Sequence, residues 1–277
     1  MRFLHFILSH SIFIALCALG LCYQTSLVLH IPTNRNIYGL VFFSTICSYN
    51  FYWLLSKFYF TDKKEVLVFV NAHLSFVILF FTSFLATLYF LNQVQYIAPY
   101  VVIGIFFTLL YSLPLWPFKF SKKFQKLGFF KTVLLAFTWA FITTILPSVE
   151  LLQTSFNPVL VLLLARFCFM LLLCIIFDRR DITVDKSHGL HSLATDTPAK
   201  VLNTIIYVVF ILYFIMGLLL RFHFNDKPQM FAFLITGGLV WWVYTLSLRK
   251  QGYLFYYFLV DGLMLVSATL TFIAGFF

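Results

Sequence analysis

The chain has 277 residues, of which 62% are hydrophobic and only 10% charged. That composition excludes an ordinary soluble domain and implies a polytopic membrane protein. The formal net charge of +10 would suit nucleic acid. The basic residues, however, are spread over short loops between apolar runs, so they are read as topology signals and no nucleic-acid partner is expected.

In chain order, nine apolar runs approach or exceed the length of about 20 residues that a helix needs to cross a bilayer: 6–27, 38–58, 67–91, 96–115, 130–147, 158–177, 201–220, 229–247 and 253–275. Turn chemistry separates them, as at Pro32-Thr33-Asn34, Asn92-Gln93 and Asn157-Pro158. The first run lacks a small-residue cleavage site and is read as a span, not a removed signal. The five cysteines all lie inside apolar runs without a CxxC pair, which makes them small hydrophobes, not disulfide or zinc ligands. The expected fold is therefore all-α: a single membrane domain over 1–277, built as a nine-helix transmembrane bundle.

Fifteen of the 19 Lys and Arg fall at the N-terminus and in the stretches 57–64, 119–131, 179–200 and 249–250; Arg35, Arg221 and Lys227 lie on the other side and Arg166 within a span. This bias places the N-terminus in the cytosol and the C-terminus outside. A bacterial plasma membrane is the expected compartment.

The acids cluster in one place. Asp178, Asp181 and Asp185 follow the sixth apolar run at spacings i, i+3 and i+7. If that helix continues outward, a step of about 100° per residue brings the three carboxylates within roughly 60° of one another. Carboxylates at a helix C-terminus oppose its dipole, so a cation is expected beside them. A metal could supply it, or the interleaved Arg179, Arg180 and Lys186.

The pattern of Asp178, Asp181, Asp185 and Gly189, followed by His191, Ser192 and Leu193, resembles the second aspartate-rich motif of the UbiA-type intramembrane prenyltransferases. The resemblance implies nine transmembrane helices with the N-terminus inside, in agreement with the independent charge count. It also implies Mg²⁺ held between two aspartate-rich motifs, a polyprenyl diphosphate donor, and transfer of the prenyl group to a lipophilic, commonly aromatic, acceptor at the cytosolic face. On this reading Asp181 and Asp185 are the catalytic metal ligands, with Asp178 a third ligand. The first motif of the family falls at Asn50-Phe51-Tyr52-Trp53-Leu54, where its aspartates become Phe51, Leu54 and Phe58 and only Asn50 can offer an oxygen. The span that ends Leu110-Tyr111-Ser112 is similar to the family's Tyr-containing helix end. The Lys expected four residues later is Leu115, which leaves Lys119 and Lys122 as diphosphate contacts together with Arg179, Lys186 and His191.

Two charges lie well inside spans. Arg166 is expected to pair with Asp261 or with Glu150, because intramembrane charges usually face the bundle interior and find a partner. Lining by many of the 38 Phe would suit an isoprenoid tail and a carbocation, and membrane lipids are the remaining partners. Two rival readings stand beside transfer. One is a non-catalytic isoprenoid-binding protein, suggested by Phe51, Leu54 and Phe58; the other is a transporter that uses Arg166 and Asp261, against which the odd span count argues.

Overall fold

The computed structural model describes residues 2–59, 66–112, 128–187, 191–224 and 227–277. The described residues are helical nearly throughout, with no strand among them. In order they form α1 (Arg2–Ser9), α2 (Ile12–Val28), α3 (Arg35–Tyr59), α4 (Val66–Ala72), α5 (Leu74–Gln93), α6 (Ala98–Ser112), α7 (Gly128–Ile145), α8 (Val149–Thr154), α9 (Phe156–Ser187), α10 (Leu193–Asp196), α11 (Ala199–Phe224), α12 (Lys227–Ser247) and α13 (Asp261–Ala274). A π-helical turn, Phe255–Val260, leads into α13.

Among the described residues seven helices are long and apolar enough to cross a membrane. The other two expected spans are also helical but differ from a plain apolar rod. The first breaks at His10–Ser11, where Ser11 takes a left-handed φ of 65°, leaving α2 with 17 residues. The second, α3, has 25 residues, but it turns Ser44, Thr45, Ser48 and Tyr49 toward an internal cavity, so its composition is mixed. The third expected span is likewise divided, at His73, into α4 and α5.

The helices are arranged around a central cavity. Neighbours pack as α2–α3, α3–α5, α6–α7, α7–α9, α9–α11, α11–α12 and α12–α13, and α13 returns to α2. At that last seam the amide of Gln24 donates to the Ser267 carbonyl and hydroxyl and to the Thr271 hydroxyl, at 2.8–3.1 Å. In hydrocarbon such side-chain bonds between helices supply orientation that apolar contact alone does not. The outer faces carry exposed large hydrophobics such as Phe81, Leu85, Phe106 and Ile211, as a lipid-facing surface requires.

The most enclosed rod is α9, with Leu162, Ala165, Leu173, Ile175 and Ile176 nearly inaccessible. It runs ten residues beyond Phe177 to Ser187. The acidic residues therefore ride on a continuous helix whose buried length anchors them, and that position builds the site.

Candidate functional site

The central cavity has a volume of about 970 Å³. Asp178, Asp181 and Asp185 from the end of α9, Lys131 from the first turn of α7, Arg180, and Asp261 from the start of α13 all contribute to its wall. Helical periodicity accounts for the three acids lining one cavity. The remaining wall is aromatic and apolar, including Tyr52, Trp53, Phe76 and Tyr257. A second cavity of about 180 Å³ adjoins it, sharing Tyr49, Tyr52, Tyr111, Leu135 and Trp139 and extending to Ser44, Thr45, Ile142 and Thr143. Together they make a chamber that is charged at one end and apolar, with scattered hydroxyls, at the other.

Each acid has a distinct setting. Thr132 donates its hydroxyl to Asp178 and accepts from the Leu193 backbone N–H at 3.1 Å. Asp178 thereby ties the chain after α9 onto α7, in a place where Gly128 leaves room for the Ser192 backbone. Asp181 is held by Arg180, whose Nε and Nη2 reach its two oxygens at 2.7 and 2.8 Å. The Arg180 guanidinium also lies over Phe177, Tyr256 and Tyr257, at 5.0, 4.9 and 4.9 Å from the ring centroids. The wide π turn presents two of those rings and, at its end, Asp261. Such turns recur at functional sites.

Lys131 completes the arrangement. Its ammonium is 5.8 Å from the Tyr111 ring centroid and within electrostatic reach of Tyr52, Asp185, Asp178 and Asp181. Tyr111 in turn stacks on Tyr52 at 5.2 Å. Lys131 thus lines the same cavity as Tyr52 of α3 and the acidic end of α9. Sequence reasoning took Lys131 for a topology signal and left Arg180 as one of several neighbouring bases. Nothing in the local spacing connects Lys131 with acids one span away.

Several expected site residues sit elsewhere. Asn50 does not line the cavity. It is fully buried and its Nδ2 donates to the carbonyls of Ile46 and His10, at 2.8 and 3.3 Å, so it fastens α3 to the break between α1 and α2, while its Oδ1 is buried without a hydrogen-bond partner among the described residues. Arg179 points away from the cavity to Tyr244 and Asn203, at 3.1 and 3.4 Å, because it lies on the opposite face of α9 from Asp178 and Asp181. Lys186 is exposed and outside the cavity wall. His191 pairs with Asp196 at 2.7 Å across α10 and likewise does not line the cavity. Lys119, Lys122, Leu115 and Gly189 lie outside the described residues.

The expected pair of Arg166 with Asp261 is replaced by two separate environments. Arg166 donates to the Leu21 carbonyl and the Thr25 hydroxyl on α2, at 3.1 and 3.3 Å. Backbone carbonyls are sufficient partners for a buried guanidinium, so no carboxylate is needed. Asp261 lines the cavity, where Arg180 is its charged neighbour.

The magnesium implied by the resemblance can be tested against these donors. Among the described residues no group of three or more His, Cys, Asp and Glu could hold a metal ion, so they furnish no ready-made cage. The cavity wall nevertheless carries four carboxylates, Asp178, Asp181, Asp185 and Asp261, against two cations, Lys131 and Arg180. Mg²⁺ is commonly held by one or two carboxylates together with substrate phosphates. The four carboxylates on one wall fit an ion held jointly with a phosphorylated ligand.

No family model matches the chain, and no curated protein matches it. Among solved structures, the apo form of a UbiA homolog from Aeropyrum pernix K1 aligns over 96% of this chain and 97% of that one, with a TM-score of 0.66 at 12% identity. At that identity the likeness is one of fold. With the cavity at the acidic end of α9 and apolar helices around it, the chain is an integral, multi-pass membrane protein with the UbiA-type fold.

Proposed function

We propose that the chamber binds a prenyl diphosphate and transfers its prenyl group to a lipophilic acceptor. The observation that carries this reading is the join between the charged cavity and the apolar cavity through Tyr49, Tyr52, Tyr111 and Trp139. A ligand with an ionic head and an isoprenoid tail matches that division, and burial of its tail at about 25 cal/mol per Å² would supply most of the affinity.

The diphosphate would meet Lys131 and Arg180, with the alkyl chain running toward Trp139 and Ile142. Transfer requires the allylic C–O bond to break with its electron pair leaving on diphosphate. The acceptor then forms a bond to the prenyl carbon and loses a proton. Bound magnesium would supply charge compensation for the departing diphosphate. The chain's own residues would supply the rest: Lys131 and Arg180 attract the leaving group, the Tyr and Trp faces favour positive charge on the prenyl fragment, and Asp261, on the same cavity wall, is the base we assign to take the proton.

A second reading, an isoprenoid-binding protein without turnover, is favoured by Phe51, Leu54 and Phe58 at the places where the first motif would carry aspartates. A photoreactive farnesyl diphosphate analogue tests the shared core of both readings. Labelling of peptides containing Tyr49, Tyr52 or Trp139, competed by unlabelled farnesyl diphosphate, supports the chamber assignment. Labelling confined to outer faces such as α5 would contradict it. Diphosphate release from farnesyl diphosphate in the presence of a membrane lipid extract separates transfer from binding alone.

A further inference from the structure

We infer that the Tyr49 hydroxyl is a positioning donor for the second substrate. It gives a hydrogen bond to an oxygen of the prenyl acceptor, which therefore presents a carbonyl or phenol oxygen at the join of the two cavities. The inference rests on the transfer reading above and names the group that orients the molecule receiving the prenyl chain.

Tyr49 of α3 lines both cavities, as does Trp139 of α7. It keeps 36% of its surface accessible, and from that position the open surface faces the chamber. The two side chains are bonded across the join. Trp139 donates its Nε1–H to the Tyr49 hydroxyl at 3.2 Å, with the rings edge to face and their centroids 6.1 Å apart. An indole nitrogen can only donate, so the Tyr49 oxygen accepts there and keeps its own hydrogen for another partner. Among the described residues the hydroxyl makes no other hydrogen bond. A hydroxyl that already accepts one bond is polarised to give a stronger one, and a donor left unused in an apolar site is costly.

Most nearby hydroxyls are already spent. Thr45, Thr108, Ser112, Thr138 and Thr143 donate to carbonyls of their own helices at 2.7–2.9 Å. Ser48 lines the smaller cavity but not the larger one. Tyr49 therefore holds an oriented hydrogen at the boundary between the charged and apolar ends. An isoprenoid tail has no lone pair to receive it. The diphosphate has several, but its place is with Lys131 and Arg180 at the charged end. The prenyl acceptor must lie beside the allylic carbon, between head and tail, and there an oxygen would meet Tyr49.

The test uses menadione and its oxygen-free parent methylnaphthalene, which share a methylated bicyclic frame and differ in two carbonyl oxygens. Binding of each to the detergent-purified full chain is measured for wild type and Tyr49→Phe, corrected for partition into empty micelles. Menadione affinity is expected to fall about three- to tenfold in Tyr49→Phe, and methylnaphthalene affinity to stay within about twofold. The infrared carbonyl band of bound menadione should lie at lower frequency than in empty micelles for wild type, and return toward the micelle position in Tyr49→Phe. A purely structural Tyr49 would not move that band. Unchanged menadione affinity, equal losses for both probes, an unshifted band in wild type, or no menadione binding overturns the inference. A loss that falls on farnesyl diphosphate instead of menadione assigns the hydroxyl to the diphosphate and overturns it too. Wild type that binds menadione through Tyr49 but never farnesyl diphosphate keeps the donor and overturns the transfer reading. If Tyr49→Phe does not fold, the wild-type band and the preference for menadione over methylnaphthalene decide.

Discussion

The guanidinium of Arg180 grips the carboxylate of its neighbour Asp181 through both oxygens, at 2.7 and 2.8 Å, while its flat face rests on the rings of Phe177, Tyr256 and Tyr257. This fixes one cation and one carboxylate at the wall of the cavity before any ligand enters. It also couples the end of α9 to the π turn that begins the last span.

Lysine cannot reproduce that role, because it lacks both the fork and the planar stacking surface. Arg180→Lys is therefore expected to weaken prenyl diphosphate binding by about tenfold, close to the loss in Arg180→Ala. Equilibrium binding of farnesyl diphosphate checks this. Recovery of wild-type affinity by the lysine variant would show that charge alone suffices.

Gly128 opens α7 where the backbone of Ser192 and His191 crosses it. A Cβ there would overlap the Ser192 nitrogen and stand 2.6 Å from the His191 carbonyl carbon, and backbone cannot rotate away as a side chain can. Gly128→Ala is expected to cost about 1–3 kcal/mol and to free the segment around α10. A lower melting temperature in detergent together with faster proteolysis near residue 191 is the expected result.

Arg166 serves the packing of α9 against α2 through Leu21 and Thr25. Arg166→Met should lower stability by about 1–3 kcal/mol by removing two buried hydrogen bonds between α9 and α2, with diphosphate affinity unchanged. Thermal unfolding and ligand binding on the same preparation test both halves. A large affinity loss without destabilisation would move Arg166 into the site.

Ser48 lines the apolar cavity beside Tyr49 and Thr45. Ser48→Phe adds a ring to a space of about 180 Å³ and should discriminate by tail length. Affinity for geranylgeranyl diphosphate is expected to fall about tenfold or more, because part of the tail can no longer be buried. Affinity for geranyl diphosphate should stay within about twofold. Competition binding with the two diphosphates measures the ratio.

The helical layout was legible because apolar length and loop charge are properties of consecutive residues. The placement of Asp178, Asp181 and Asp185 was legible for the same reason, since one helix carries all three. What escaped depends on partners distant in the chain. Lys131 and Asp178 come to line one cavity only after the segment between them has folded back, so Lys131 read as a loop charge. The pairing expected for Arg166 failed because the sequence ranks a distant carboxylate above an ordinary carbonyl, whereas Leu21 was already within reach. The breaks at His10–Ser11 and His73 left no clear mark either. Neither glycine nor proline stands there, and Ser11 takes its left-handed backbone without one.

The most direct measurement is equilibrium binding of a polyprenyl diphosphate to the purified protein, with and without Mg²⁺, for wild type and for Asp181→Ala combined with Asp185→Ala. The account predicts Mg²⁺-supported binding by the wild type and a loss of about tenfold or more in the double variant, with the melting temperature showing that the variant is folded. Binding that ignores both the metal and the two aspartates, or no binding at all, would contradict a diphosphate site at the end of α9.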